Sequence, residues 1–208
     1  ISKQKAFWLN EFADEVTTLS LPTDFKRPSI KSYEGNSISF TISTEETNKL
    51  KSIAEAEGAT LFMVLLSFYT ILLSKLSNHE DVVVGTPVAG RGHTDLENMI
   101  GMFVNTLPLR NYPKGELNFK EFLSEVKNKT LACFDNQSYQ YEELIDELRV
   151  VRDTAHNPLF DVLFVFQNFE RKELIIPKLM LKPYDNGFTI SKFDLTLTAE
   201  ESQGQLFL

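Results

Sequence analysis

A long apolar segment and the strand signal that follows it decide the fold of this chain. Residues 61–76 read LFMVLLSFYTILLSKL, and residues 82–84 read VVV. In a helix over 61–76 the apolar side chains would lie nearly all round, which predicts a helix at the centre of the fold, capped by Thr60. The segment is short for a bilayer span. The β-branched run predicts a buried strand, so the two together indicate an α/β fold.

The pattern on the N-terminal side of this helix predicts four further elements. They are a helix over 3–15, an extended connector over 19–33, a strand over 36–42 and a helix from Ser43 to about Gly58. The strand alternates polar and apolar residues, so one of its faces should be buried. Ser43 and Glu46 form a capping-box pattern that opens the second helix.

The pattern on the C-terminal side alternates between strands and helices. The predicted elements are a loop over 85–92, strands over 103–109, 160–168, 178–184 and 188–198, a helix that Asn118 and Glu121 cap, a shorter helix over 141–149, a hairpin turn at 185–187 and the start of a strand at 205–208. Pro108 places the 103–109 strand at a sheet edge or a bulge, because proline cannot donate to the ladder. We therefore expect a two-layer α/β sandwich in which helices cover a mixed β-sheet.

Composition restricts the function classes. The chain has 208 residues, a formal net charge of −8 and a pI near 5.0. This charge argues against nucleic acid as a partner, which requires a basic surface. One cysteine excludes an internal disulfide, and the first residues lack a signal peptide pattern, so we expect a cytoplasmic protein without a membrane segment.

The residues that could carry chemistry are few. His79, His93 and His156 do not have the spacing of metal ligands, and Cys133 lies at the end of an apolar helical pattern, where a packing role is favoured over a reactive thiol. No Gly-x-Ser-x-Gly elbow is present. The segment around His156 reads first as a turn, and second as a loop that Arg152 and Asp153 hold near a channel.

Two neighbouring segments leave their alternatives open. Gly90–His93 is either a solvated turn or a loop whose Arg91 steers a phosphate-bearing arm. Ile100–Thr106 is either a packed strand with a glycine bulge or a channel wall on which Asn105 hydrogen-bonds to an amide-rich substrate. The residue types favour neither reading of the second segment.

Several motifs, taken in order, resemble nonribosomal peptide synthetase condensation domains. They are the segments 21–28 (LPTDFKRP), 84–91 (VGTPVAGR), 95–107 (DLENMIGMFVNTL) with Arg110, 136–142 (NQSYQYE), 152–159 (RDTAHNPL) and 191–195 (SKFDL). The Phe-Val-Asn-Thr stretch is the most specific. Ser138, Gln140, Ala155 and His156 depart from the family pattern.

The resemblance implies a domain assignment. Condensation domains have two lobes, both similar to chloramphenicol acetyltransferase, and their activity is attributed to a His-His-x-x-x-Asp-Gly motif that is absent from this sequence. We therefore expect residues 1–208 to be the C-terminal lobe, inactive alone, with an exposed apolar face where the N-terminal lobe packs. An adjacent adenylation domain would be a further partner.

The resemblance also implies a reaction and a role for named residues. Peptidyl carrier proteins would deliver a donor thioester and an acceptor amine on phosphopantetheine arms, with no cofactor or metal bound directly. Gly101, Phe103, Asn105 and Thr106 would line the tunnel, and the loop with Arg91 and His93 would lie near the reaction centre. Structural motif roles would fall to Arg110, Arg152, Asp153, Asn157 and Asp194.

Two alternatives remain at this stage. The lobe could be a non-catalytic scaffold that binds carrier proteins in a degenerate domain. It could also belong to an epimerisation or cyclisation relative, although the Ile-Gly-Met-Phe-Val-Asn-Thr-Leu form favours ordinary condensation.

Overall fold

The computed structural model describes residues 2–92, 94–96, 99–150, 153–167, 179 and 190–208. Within these ranges the chain forms five α-helices and six strands. The helices are α1 (Ser2–Glu11), α2 (Thr44–Ala56), α3 (Leu61–Ser77), α4 (Phe119–Asp135) and α5 (Tyr141–Leu148). The strands are β1 (Thr41–Ile42), β2 (Val82–Val88), β3 (Asn105–Asn111), β4 (Val162–Gln167), β5 (Leu195–Ser202) and β6 (Gln205–Phe207).

The six strands form one mixed sheet in the order β1-β6-β5-β4-β2-β3. β4 is parallel to both β2 and β5, whereas the other pairs are antiparallel. Helices α2, α3 and α4 pack side by side and contact β6, β2 and β3, respectively. The predicted α/β class, with a mixed sheet covered by helices, is confirmed.

The helix starts agree with the capping signals in the sequence. Ser43 and Asn118 each make a capping box with the glutamate three residues later, and Thr60 accepts a hydrogen bond from the Met63 amide. These side chains satisfy amide groups that have no partner within the helix. The predicted starts of α2, α3 and α4 are therefore confirmed.

Helix α3 is central, but it is not buried on every side. Val64, Leu66 and Leu73 have no exposed surface. Phe68, Leu72 and Leu76, which follow one another at intervals of four, form a half-exposed stripe. Helical periodicity places these three on one face. The predicted central position of α3 is confirmed, and this stripe is its partly exposed side.

Two strand predictions need correction. The 36–42 prediction reduces to β1, and Ile38, the first residue of its apolar alternation, is 87% exposed. The predicted loop from Gly85 is instead the second half of β2, which continues to Val88 opposite β3. Gly85 fits inside the strand because the Phe160 ring lies where a side chain would stand, 2.1 Å from a Cβ built there.

The remaining predictions fall into two groups. β3 is an edge strand that contains Pro108, β4 lies within the predicted 160–168, and β6 lies within 205–208. The turn at 185–187 and most of the predicted strand over 178–184 lie outside the described residues.

No single described helix is long and apolar enough to cross a membrane; α2 and α3 meet those criteria only together, as a pair bent by 104°.

Candidate functional site

The connection between β2 and β3, residues 89–104, is here called the β2–β3 loop. Gly90 has a left-handed backbone with φ of 66°, and a Cβ there would lie 1.7 Å from the Phe103 carbonyl oxygen. The two ends of the loop therefore touch at a point that only glycine fits.

Arg91 occupies the interior of this loop. Its Nη1 donates to the carbonyl oxygens of Leu96 and Met99, the latter at 2.8 Å, and its Nη2 donates to that of Gly101 at 3.3 Å. The guanidinium also lies 4.5 Å from the centre of the Phe103 ring. Arg91 is thus committed to the backbone of its own loop, a role that sequence reasoning did not assign. His93 lies outside the described residues.

The outer side of the same loop is apolar and exposed. Ile100 and Met102 have relative exposures of 104% and 94%, and Met99 and Val104 are also exposed. Four large apolar side chains among six consecutive residues are unusual on a surface unless a partner covers them. This is the clearest instance of the exposed apolar surface expected from the sequence.

Asn105, at the start of β3, is 4% exposed and fully engaged. Its Nδ2 donates to the carbonyls of Gln137 and Tyr139 at 2.9 and 2.8 Å. Its Oδ1 accepts from the amides of Thr106 and Tyr141. The amide therefore joins β3 to the segment that opens α5. These bonds occupy both hydrogens of the Asn105 amide group, so it has no free donor for the substrate contact that was one of the two readings of this segment.

The segment at the start of α5 reaches the next motif through Tyr141. The Tyr141 hydroxyl donates to the Pro158 carbonyl, and burial raises the pKa of this phenol, which keeps it a donor. The Tyr141 ring also packs on Phe160, which stacks on Phe193 at a centroid distance of 5.8 Å. Motifs that are far apart in the sequence are thereby placed in contact.

Asp161 is the centre of a buried polar group. It is 5% exposed, and its Oδ1 accepts from the Asn157 amide at 2.8 Å and lies 3.5 Å from the Lys31 Nζ. Its Oδ2 lies 2.5 Å from the His156 Nδ1. A buried carboxylate needs such partners to remain charged. Sequence reasoning missed Asp161, because its ion pair with Lys31 spans 130 residues.

Asp194 joins the connector to this group. Both oxygens of Asp194 accept from the Arg27 guanidinium, a bidentate pair that raises the pKa of Arg27. Arg27 also donates to the Ala155 carbonyl at 3.1 Å, and the Asp194 amide donates to the Asp161 carbonyl at 2.8 Å. The 21–28, 152–159 and 191–195 motifs are thus held together by charge and backbone contacts.

Arg110 performs a similar task at the other end of β3. Its Nε and Nη2 donate to the two Asp81 oxygens at 2.9 and 2.7 Å. It also donates to the carbonyl of Glu11, the last residue of α1, and to the carbonyls of Asp14 and Glu15, which follow α1. The Asp81 contact raises the pKa of Arg110, so the charge is permanent. Arg110 fastens α1 to the sheet.

The other sequence candidates have simple positions. Burial raises the pKa of the Cys133 thiol to about 12, which agrees with a packing residue. Asp153 accepts from the Ala155 amide at 2.9 Å, and Arg152 lies outside the described residues. Across the part of the chain that is described, His, Cys, Asp and Glu form no cluster of three that could hold a metal.

The fold and the set of motifs together define the chloramphenicol acetyltransferase-like architecture. A family profile described as the condensation domain matches residues 1–208. The chain therefore belongs to the condensation-domain family of nonribosomal peptide synthetases.

Curated relatives agree with this family. Bacitracin synthase 3 of Bacillus licheniformis is 47% identical over 206 residues, which cover 99% of this chain and 3% of that protein. Tyrocidine synthase 3 of Brevibacillus parabrevis is 48% identical over 204 residues, 98% of this chain and 3% of that protein. The chain thus spans a small part of the length of these relatives.

Solved structures share the fold. A crystal structure of a four-domain nonribosomal peptide synthetase bound to AMP and glycine superposes with a TM-score of 0.88 at 25% identity, over 99% of this chain and 17% of that one. The X-domain from teicoplanin biosynthesis also gives a TM-score of 0.88, at 21% identity, over 99% of this chain and 48% of that one. The second likeness concerns the fold alone.

Proposed function

We propose that residues 1–208 are the C-terminal lobe of a condensation domain that forms an amide bond between two carrier-tethered substrates. In this proposal the lobe supplies one wall of the reaction tunnel and a surface for carrier proteins. A second lobe of similar fold supplies the His-His-x-x-x-Asp-Gly motif. The X-domain match, which covers 48% of that chain, supports a division into two lobes of similar size.

The observation that carries the proposal is the contrast within the β2–β3 loop. Its arginine, Arg91, turns inward to carbonyl oxygens, whereas Ile100 and Met102 turn outward. A loop that served only as a connection would gain stability with the opposite arrangement, because exposed apolar surface costs about 25 cal/mol per Å². The arrangement suits a surface that another protein part covers.

The chemistry assigned to the complete domain depends on placement. Two peptidyl carrier proteins deliver a donor thioester and an acceptor amine on phosphopantetheine arms. The amine attacks the thioester carbonyl, the C–N bond forms, and the C–S bond breaks to release the thiol of the donor arm. Holding both reactants in one tunnel makes the step effectively unimolecular. A histidine of the other lobe removes or positions the proton of the amine. This lobe then needs no catalytic group of its own.

Within the lobe the proposed roles divide between the surface and its support. Gly101 and Phe103 form the tunnel wall together with their exposed neighbours. Asn105 and Thr106 follow them at the start of β3, which Asn105 fixes through its bonds to the 137–141 segment. The polar group around Asp161 keeps the connector and the last strands in place. An adjacent adenylation domain and a cytoplasmic location complete the proposal.

The experiment that tests the proposal compares this chain alone with the longer protein that contains both lobes. Donor and acceptor carriers, each loaded with an aminoacyl thioester, are incubated with either protein, and the dipeptidyl thioester is measured by mass spectrometry. We expect amide formation by the longer protein and none by residues 1–208. Turnover by residues 1–208 would contradict the assignment to a single lobe.

The same experiment separates the proposal from its alternatives. A longer protein that binds loaded carriers without joining their substrates would be a scaffold. One that inverts the donor centre or forms a ring would be an epimerisation or cyclisation relative. Either result would overturn the proposed amide-forming activity.

A further inference from the structure

The exposed apolar residues of the β2–β3 loop lie on a backbone segment that Arg91 holds from within the loop. Ile100 and Met102 have little contact with the rest of the described chain, since both are almost fully exposed. The shape of the segment that carries them must therefore come from its backbone. The groups that fix that backbone are Arg91, Gly90 and Phe103.

Arg91 contacts the backbone at three points. The carbonyls of Leu96, Met99 and Gly101 all face the guanidinium and accept its hydrogen bonds. A guanidinium is planar and carries five donors in a fixed fork, so three carbonyls bound to it cannot move independently. Its position over the Phe103 ring at 4.5 Å adds a fourth point on the returning arm of the loop.

Gly90 closes the loop at its base. Its positive φ and its close approach to the Phe103 carbonyl bring the outgoing and returning arms together directly above the β2–β3 ladder, where Val88 pairs with Asn105. The loop is thus closed at the base by Gly90 and filled by Arg91. A loop of this construction presents its outer side chains in one arrangement, which lowers the entropy that contact with a substrate or a second lobe would cost.

We propose that Arg91 is a positioning residue that, with Gly90, sets the shape of the tunnel wall formed by residues 99–104 and thereby tunes which acyl side chains the domain accepts. The inference rests on the proposed function, because it assumes that this wall faces the reacting groups. Arg91 acts through the backbone of Met99 and Gly101 and does not touch the substrate. Its role differs from steering a phosphate-bearing arm, since its donors face carbonyl oxygens of the protein.

The test uses the longer protein with both lobes and measures a ratio of rates. In the first experiment, donor carriers loaded with a small glycyl or a bulky phenylalanyl thioester compete for one acceptor. In the second experiment, acceptor carriers loaded with the same two residues compete for one donor. The ratio of the two kcat/KM values does not depend on how much of a variant is folded. Lower stability alone would reduce both rates and leave the ratio unchanged.

The variants are Arg91→Lys, Arg91→Ala and Gly90→Ala. Lysine keeps the charge but cannot bind three carbonyls in one plane, so Arg91→Lys should resemble Arg91→Ala. We expect each variant to change the bulky-to-small ratio by roughly 10-fold, the range over which a pocket distinguishes side chains by size. Arg91→Lys and Gly90→Ala provide two separate routes if Arg91→Ala does not fold.

Two matched controls keep the result specific. Gly92→Ala makes the same substitution in the same loop, but a Cβ there meets nothing within 4 Å among the described residues. Arg149→Lys makes the same change at an exposed arginine beyond α5. Both should keep the wild-type ratio.

The outcomes decide the inference separately from the proposed function. A wild-type protein that forms no amide bond would overturn the proposed function and the inference together. An active wild type whose ratio is unchanged in Arg91→Lys and Gly90→Ala, on both the donor and the acceptor side, would overturn the inference alone. A ratio that shifts equally in Gly92→Ala would also overturn it, because the effect would then be general to the loop.

Discussion

The β2–β3 loop and the polar group around Asp161 use motif residues in opposite ways. In the polar group, charged and amide side chains from three distant motifs bind one another around the buried carboxylate of Asp161. In the loop, one arginine holds the backbone and the apolar side chains face outward. Some motifs therefore hold the fold together, and others present a surface, although the two kinds look alike in the sequence.

Asn105 belongs to the first class although it is part of the most specific motif. The distinction between motifs that hold the fold together and motifs that present a surface would fail if Asn105 could be changed without lowering the free energy of unfolding. Asn105→Asp removes two donors and sets a carboxylate against the carbonyls of Gln137 and Tyr139. We expect the free energy of unfolding to fall by about 3 kcal/mol.

Urea unfolding of residues 1–208 measures this change. The control is Asn48→Asp, which adds the same charge at an exposed site in α2. A loss at Asn105 no larger than that at Asn48 would show that the buried hydrogen bonds are not holding the 137–141 segment.

Asp161 provides the second test of the same class. Asp161→Asn keeps the size of the side chain but removes the carboxylate charge that Lys31 and His156 contact, so Lys31 keeps only Asp194 at 3.8 Å and His156 only Asp153 at 3.9 Å as anionic neighbours among the described contacts. We expect a loss of about 2 kcal/mol in the free energy of unfolding, because the remaining buried cation is less well compensated. Thermal unfolding of the variant beside Asp24→Asn, an exposed control, gives the comparison. Equal melting temperatures for the two variants would contradict the claim that the contacts around Asp161 stabilise the fold.

A smaller effect is expected at a helix end that lies away from both regions. The Asn118 side chain accepts from the amides of Lys120 and Glu121 at the start of α4. Asn118→Ala should lower the free energy of unfolding by about 1 kcal/mol, the usual cost of losing a cap. Chemical denaturation measures it, and Asn118→Ser, which keeps an acceptor, should recover most of the loss. A serine variant as unstable as the alanine variant would argue against capping as the cause.

Local signals predicted much of the fold. Capping patterns at Ser43, Thr60 and Asn118 placed three helix starts, because a cap depends on residues at most three positions apart. The strand predicted over 36–42 was largely wrong for the opposite reason. Alternation shows that one side of a segment is apolar, but it does not show whether anything covers that side, and Ile38 is exposed.

The site was less predictable because its contacts are long-range. Asp161 forms an ion pair with Lys31 of the connector, and Asn105 forms hydrogen bonds with the 137–141 segment. Because these partners are distant in sequence, neither role leaves a local pattern. Arg91 is the intermediate case. Its partners lie within ten residues, yet the partners are backbone carbonyls, which every residue has, so the sequence does not distinguish them.

The most direct test of the account changes the outward side of the β2–β3 loop and nothing else. In the longer protein with both lobes, Ile100→Asp combined with Met102→Asp should lower the rate of amide formation by at least roughly 10-fold, because charge would have to be buried against the covering surface. In residues 1–208 the same pair should change the free energy of unfolding by less than about 0.5 kcal/mol, since both side chains are exposed. Wild-type rates of amide formation in the double variant would contradict the claim that this loop is a wall of the reaction tunnel.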